Sequence, residues 1–413
     1  MNRSAFLWFS LLTILICLVV PTVADVSAHT RAVHTYGIIE AETEALRTRR
    51  HLVVWGMHRD FYDQEVNFIA LHSDILNIQY GTGKSSLTRI KELNPYMIIL
   101  MYMGVMGVNP SSETFEWDVV NSHEDWFIHD KYGNRLQNAK YGWYCTDVGN
   151  QGWRNYFVQR AKQFMNEIPA LDGIFAEDVW DSFIAGWGKW TVPAEDIPQS
   201  VVDRWHNDQL EFLRYVKQQI GDKLLILNTS NDDDYVDVSD GKWEEAFVHA
   251  RWQNYGNFPS VDKWKHKIDG VRKVCQKGKM ILVSGGCLEL ERDSTWTQAH
   301  PNEVEKLLEF CFCSYLLGVS GDKSAFNFGT FWNRDGSRGY YSIFDNARQL
   351  GSPVSDYDEF VSVYARDFEN GKVLVNPSSS SYTVSLGGNY KTLDGQTVSS
   401  VTLGGHTALI LLK

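Results

Sequence analysis

Eight short apolar runs, none longer than seven residues, recur along the chain with helical patterns between most of them. They are LVVW (Leu52 to Trp55), ILNIQY (Ile75 to Tyr80), MIILMYM (Met97 to Met103), DGIFA (Asp172 to Ala176), LLILN (Leu224 to Asn228), EEAFV (Glu244 to Val248), MILVS (Met280 to Ser284) and FNFGTF (Phe326 to Phe331). Between them, WRNYFVQRAKQFMNEI repeats apolar positions at Phe157, Ala161, Phe164 and Ile168, and VEKLLEFCFCSYLLG is apolar enough to pack on a sheet. Strands alternating with helices imply parallel strands joined by right-handed crossovers, and eight such units point to an α/β fold closed as a (β/α)8 TIM barrel. An open doubly wound sheet is the rival, but no Gly-rich dinucleotide fingerprint follows the first strand. The connection NDDDYVDVSDG between the fifth and sixth strands shows no helix.

The pattern changes after about Ser352. From Arg366 to Lys413 there is no helical period, only period-two runs separated by Asn-Gly, Asn-Pro, Gly-Gly and Asp-Gly turns, which predicts a small C-terminal antiparallel β domain over 366–413. At the other end, Arg3 precedes the apolar run FLWFSLLTILICLVV, Phe6 to Val20, and Thr22-Val23-Ala24 offers small residues for cleavage. The run is short and early for a membrane span, so residues 1–24 read as a secretory signal, the barrel as 25–352, and the mature chain as secreted with no membrane span.

With 413 residues, 44% of them hydrophobic, the chain can fill a large core. A net charge of −12 argues against nucleic acid as a partner, because phosphate-backbone affinity rests on clustered Lys and Arg. Removal of Cys17 leaves Cys145, Cys275, Cys287, Cys311 and Cys313, an odd number without regular spacing, so buried thiols are expected rather than a disulfide framework.

In LDGIFAEDVWDSF, an apolar strand ends abruptly in Glu177 and Asp178. The C-terminal mouth of a barrel is where carboxylates can face a polar ligand instead of a dry interior. The longer stretch CTDVGNQGWRNYFVQRAKQFMNEIPALDGIFAEDV resembles the central block of hypothetical glycosyl hydrolase family fifteen, which is distinct from the glucoamylases. WFIHDKYGNRL and the C-terminal ENGKVLVNPSSSSYTVSL also fit, so the resemblance covers most of the mature chain. It implies a TIM-barrel hydrolase with an Asp- and Asn-bearing turn, here Asp147 and Asn150, leading a helix into a strand that ends in paired acids. The family more usually shows Asp where Glu177 stands.

Glycoside hydrolysis needs a second carboxyl group from another strand end. Glu245 is favoured, since an acid within the sixth apolar run has few reasons to be there unless it faces the mouth. Glu289 and Glu291 after the seventh strand read better as a charged loop, and Asp232 to Asp234 as a solvated one without the ligand order of a calcium loop. Trp117, Trp126, Trp143 and Tyr144 fall after the third strand, Trp180 and Trp187 after the fourth, Trp252 after the sixth and Trp332 after the eighth. Aromatic faces suit sugar C–H faces, so Trp143, Trp180, Trp252 and Trp332, with Asp60 and Asp147, are the candidate saccharide contacts. His58 and the pair His129-Asp130 could add hydroxyl contacts, although each suits a structural role equally.

Three motifs fail on chemistry. GTGKSS lacks the phosphate loop's first Gly at Ile78, and Ser85 as a helix cap explains it. His123 and His129 are six apart and cannot share a zinc-protease helix face, and His58-Arg59-Asp60 lacks the rest of a kinase signature. The sequence therefore predicts a secreted glycoside hydrolase without metal or cofactor, using Asp178, Glu177 and Glu245 on a carbohydrate. A saccharide-binding barrel without catalysis, or a structural envelope protein with a degenerate site, are the alternatives.

Overall fold

Parallel strands buried on both faces need no alternation of polar and apolar residues, and the short continuous runs ILNI, IILMYMG and MILVSG form them. The computed structural model describes residues 50–54, 60–111, 114–184, 190–329 and 341–413, with residues 50–54 and Glu291 described by their backbone. The leader over 1–24 and Trp55, His58, Trp187 and Trp332 lie outside the described residues. Eight strands close into a barrel: β1 (Arg50–Val54), β2 (Ile75–Ile78), β3 (Ile98–Gly104), β4 (Gly173–Glu177), β5 (Leu224–Asn228), β6 (Gly241–Glu244), β7 (Met280–Gly285) and β8 (Ser324–Phe328). Each pairs in parallel with the next, and β8 returns to β1, so the sheet has no edge.

The longer helices on the outside are α1 (Asp63–His72), α2 (Lys84–Leu93), α3 (Gln151–Glu167), α4 (Gln199–Ile220), α5 (Val261–Gln276), α6 (Pro301–Gly318) and α7 (Ser342–Arg348). Asn150 starts α3 as its N-cap, accepting from the backbone of Gly152 and Trp153 at 2.7 and 3.1 Å. Inside the barrel, Ile75, Leu100, Phe175, Ile226, Trp243, Leu282 and Ala325 meet as one apolar ring with Met280 beneath. Among the described residues, no helix is long and apolar enough to cross a membrane. The five cysteines among the described residues are free thiols, four of them buried.

Two expectations are corrected. The sixth strand is Gly241–Glu244 rather than 244–248, so Glu245 lies just beyond its end. Lys242 concealed it: the charge interrupts the apolar pattern, yet the side chain is buried on the outer face of the strand, held by Asp232 at 2.6 Å and Glu244 at 3.2 Å. Burial opposes that charge, but Glu244 and Asp232 outweigh it and hold Lys242 above its ordinary pKa. The connection from β5 to β6 carries a single helical turn, Asp234–Asp237.

The C-terminal sheet begins at Asp358, upstream of the expected 366. Its strands are β9 (Asp358–Phe360), β10 (Val363–Phe368), β11 (Gly371–Asn376), β12 (Tyr382–Thr392), β13 (Thr397–Leu403) and β14 (Thr407–Leu412), in the order β9-β10-β11-β14-β12-β13. The first hairpin turns at Val361 and Ser362, both with positive φ (50° and 66°), a conformation usually given to Asn-Gly, so no turn signal marked it. Val373, Val375, Ala408 and Ile410 of this sheet share one core with α6.

Arg366 ties the sheet to the barrel. It is 5% exposed and donates to the carbonyls of Leu316, Leu317 and Val319 at 3.0, 2.9 and 2.5 Å, the unsatisfied oxygens at the C-terminal end of α6. Replacing Arg366 with Met leaves those carbonyls buried without donors. We expect a loss of at least about 2 kcal/mol in urea unfolding, with Arg366→Lys intermediate because an ammonium cannot also keep the separate Nε–H bond to the Ser355 carbonyl at 2.8 Å.

Candidate active site

Side chains two apart on a strand face the same way, so the residue two positions after each member of the apolar ring must also point into the barrel, one layer nearer the mouth. Those residues are Asn77, Tyr102, Glu177, Asn228, Glu245, Ser284 and Asn327, every one of them polar. A dry apolar ring thus carries a polar ring directly above it. Hydrogen bonds join its members and the ring beneath: Asn228 Nδ2 donates to Glu177 Oε1 at 2.9 Å and to Glu245 Oε2 at 3.1 Å, and Trp243 Nε1 donates to Ser284 Oγ at 2.8 Å.

Glu177 and Glu245, from β4 and from the end of β6, are therefore brought together through the intervening β5. Glu245 Oε1 also accepts from Arg251 at 2.6 Å, a charge-assisted bond. Glu177 makes no such bond among the described residues, although the Arg251 charge acts on it as the smallest of several influences. Its Oε2 is closed off from solvent without a hydrogen-bond partner, and burial, then Asp178, then Glu245 push its pKa well above the usual carboxylate range. The same three acids, after burial, raise the phenol of Tyr102 on β3. The site sets a buried carboxyl of raised pKa beside one paired with a cation, an asymmetry of the kind that acid and base chemistry at one centre uses.

Adjacent residues of a regular strand face opposite ways, yet Glu177 and Asp178 act on the same centre. The backbone explains it. Glu177 O accepts from Val105 N at 3.0 Å, Val179 N donates to Asn228 O at 3.1 Å, and Asp178 between them takes φ +62°. That left-handed residue breaks the alternation and leaves the Asp178 side chain 8% exposed.

One helix end steadies the loops around this centre. Three consecutive residues of α4 each hold a different segment: Arg204 forks onto Asp147 at 2.8 and 2.7 Å, Trp205 Nε1 donates to the carbonyl of Trp180 at 2.8 Å, and His206 bridges Asp181 and Asp234 at 2.5 and 2.8 Å. Asp147 is thereby committed to an ion pair that also includes Asp208 through Arg204. Hydrogen bonding to Asp181, and then to Asp234, raises the pKa of His206 despite partial burial.

The remaining candidates divide by position. Asp60 accepts from Ser85 and Ser86 at 3.0 Å and lies over the start of α2, where a Cβ on Gly83 would fall 1.5 Å from its Oδ1. Ser85 therefore does not cap α2, whose N-cap is Gly83. Trp252 stands 51% exposed beside Arg251, on the rim. Trp143 is half-buried against Tyr141 at 5.8 Å, and Trp180 is half-buried with its Nε1 enclosed and unpartnered. Trp126 is buried on His123, and Trp117 stacks on Tyr144. His129 pairs with Glu124, and Asp130 closes its own turn through Tyr132 and Asn134. Glu289 accepts from Tyr255 N, while Asp232, Asp233 and Asp234 pair with Lys242, Lys273 and His206, Asp233 from an exposed position. Among the described residues, no three His, Cys, Asp or Glu side chains cluster as a metal site.

Residues 91–372 match the family described as hypothetical glycosyl hydrolase family 15. No curated protein matches the chain by sequence. Among solved structures, the fold is similar to a noncanonic maltogenic alpha-amylase from Thermotoga neapolitana, with TM-score 0.53 and 14% identity over 89% of this chain and 99% of that one. It is also similar to an alpha-amylase from Geobacillus thermoleovorans complexed with acarbose, with TM-score 0.50 and 11% identity over 88% and 97%. A GH31 dextranase from Flavobacterium johnsoniae complexed with glucose gives TM-score 0.51 and 10% identity over 89% and 52%. At these identities the likeness is one of fold.

Two outcomes follow from the site. Asp178→Asn keeps a residue that tolerates the left-handed turn, so stability should hold within about 0.5 kcal/mol, whereas Asp178→Val should lose about 1–2 kcal/mol in urea unfolding. Because His206 is raised in the folded state, its clamp is fully present below the ordinary histidine pKa and is lost as pH rises through the folded value. Thermal stability of the wild type should therefore fall over that window relative to His206→Gln.

Proposed function

Since the chain belongs to hypothetical glycosyl hydrolase family 15, we propose that it is a glycoside hydrolase that cleaves O-glycosidic bonds of an oligo- or polysaccharide at the C-terminal mouth of its barrel. One observation carries this reading: two carboxyl groups, one buried with a raised pKa and the other paired with Arg251, are tied to the same Asn228 amide above a dry barrel. Glu177, whose pKa burial raises well above the usual carboxylate range, is the general acid for the leaving oxygen. Glu245, paired with Arg251, faces the developing positive charge at the sugar C1. Asp178 raises the proton affinity of Glu177 and adds negative charge at the same centre.

Trp252 on the rim, with Tyr141 and Trp143 after β3 and Trp180 after β4, supplies flat apolar faces for sugar rings. Asp60 and Asp147 support loops of the mouth in this reading instead of holding sugar. Export belongs to the same proposal and rests on the apolar run Phe6 to Val20.

The test is product release from a broad panel of oligosaccharides and polysaccharides, followed by mass spectrometry, for wild type, Glu177→Gln, Asp178→Ala and Glu245→Gln. Loss of roughly 10²–10⁴-fold in Glu177→Gln and Glu245→Gln, with sugar binding kept, is the expected result. Binding without turnover in all four proteins would replace the hydrolase with a saccharide-binding barrel.

A further inference from the structure

A second carboxylate can attack the anomeric carbon itself or activate a water, and the room between the two acids decides which. That room is set by one side chain. An amide nitrogen directs its two hydrogens about 120° apart, so bonds of 2.9 and 3.1 Å place Glu177 Oε1 and Glu245 Oε2 about 5.2 Å from each other. Even laid end to end, the two bonds span at most about 6.0 Å. Pairs that form a covalent intermediate stand about 5–5.5 Å apart, and pairs that admit an attacking water about 6.5–9.5 Å.

We propose that Asn228 is a positioning residue that spaces Glu177 and Glu245 for double displacement, so that hydrolysis retains the anomeric configuration through an ester on Glu245. The inference rests on the hydrolase reading above. In the first step a carboxylate oxygen of Glu245 bonds to C1 as the C1–O glycosidic bond breaks. The bonding pair leaves on the departing oxygen, which takes the proton of Glu177. In the second step water bonds to C1 and gives its proton to Glu177, while the pair of the C1–ester bond returns to Glu245. Atoms and charge balance with water as the sole co-reactant.

Three features support these roles. Arg251 holds Oε1 of Glu245 and sets a positive charge beside the carboxylate that acts as nucleophile. Glu177 has no ion pair among the described residues, and burial raises its pKa, as suits the group that carries the proton in each step. Asn228 is half-buried at the end of β5 and spends both amide hydrogens on the two acids, so its removal frees them without emptying the apolar ring. Its bond also lowers the proton affinity of Glu177 against burial and the neighbouring acids, which gives the amide an effect of known sign.

The experiment is a titration of Glu177, followed by NMR of ¹³C-labelled glutamate carboxyls, in wild type and Asn228→Ala, with Glu177→Gln for assignment. Glu177 is expected to titrate at higher pH in Asn228→Ala, and kcat to fall about 10- to 100-fold with KM changed far less. Should the alanine variant not fold, Asn228→Asp keeps the side-chain shape and should move Glu177 upward again through its added charge. An unmoved Glu177 titration overturns the positioning role. On any sugar found to be cleaved, an inverted first-formed anomer overturns the double displacement. The titration needs no turnover, so a protein that cleaves nothing while Glu177 still shifts would cost the hydrolase reading and its stereochemistry, and leave the amide's role standing.

Discussion

A closed parallel barrel keeps water off its axis, so an inward-facing carboxylate is tolerable only where the strands stop. The rest of this site depends on that constraint. One residue pair lower, Phe175, Ile226 and Trp243 occupy the same inward positions, and an acid there would face hydrocarbon on every side. One pair higher, Glu177 is buried enough for its pKa to be raised and still meets the hydrogen bond of Asn228. Burial and access are balanced at that single layer.

Charge is divided at this layer by what each acid can reach. Glu245 pairs directly with Arg251 and accepts from Asn228, whereas Glu177 accepts from Asn228, stands beside two acids and feels Arg251 only as the smallest of these influences. The left-handed turn at Asp178 brings the second of those acids to the centre, at a position where a β-branched residue would be strained. Local backbone geometry thus sets the electrostatics of a neighbour. Around it, Arg204, Trp205 and His206 of α4 hold three segments of the mouth from one short piece of rigid helix. Loops that carry binding residues gain their precision from such anchors, and this explains why Asp147 is bound to Arg204.

The barrel was legible because its strands are short, apolar and bounded, and all eight runs overlap the strands they predicted, the first in its described part and the sixth only at Glu244. The sixth was displaced because buried Lys242 looks like surface until Asp232 and Glu244 are known to neutralise it. The start of the C-terminal sheet was missed for a related reason: its hairpin turns through Val361 and Ser362, which advertise no turn. In the site, paired acids after an apolar run were visible. Asn228, Arg251 and Tyr102 were not singled out, although the period-two rule applied past each strand's last apolar residue marks Asn228 and Tyr102.

By itself, the sequence determined the alternation of strands and helices, the closure that eight such units demand, and the strand ends at which acids stand, because these follow from local periodicity and from the cost of burying charge. The pairing of Glu177 with Glu245 through Asn228 and the commitment of Asp147 to Arg204 were decided by tertiary structure alone. These depend on distances of about 3 Å between residues 17 to 57 positions apart in the chain. No periodicity encodes such a distance; it exists only once β4, β5 and β6 lie side by side.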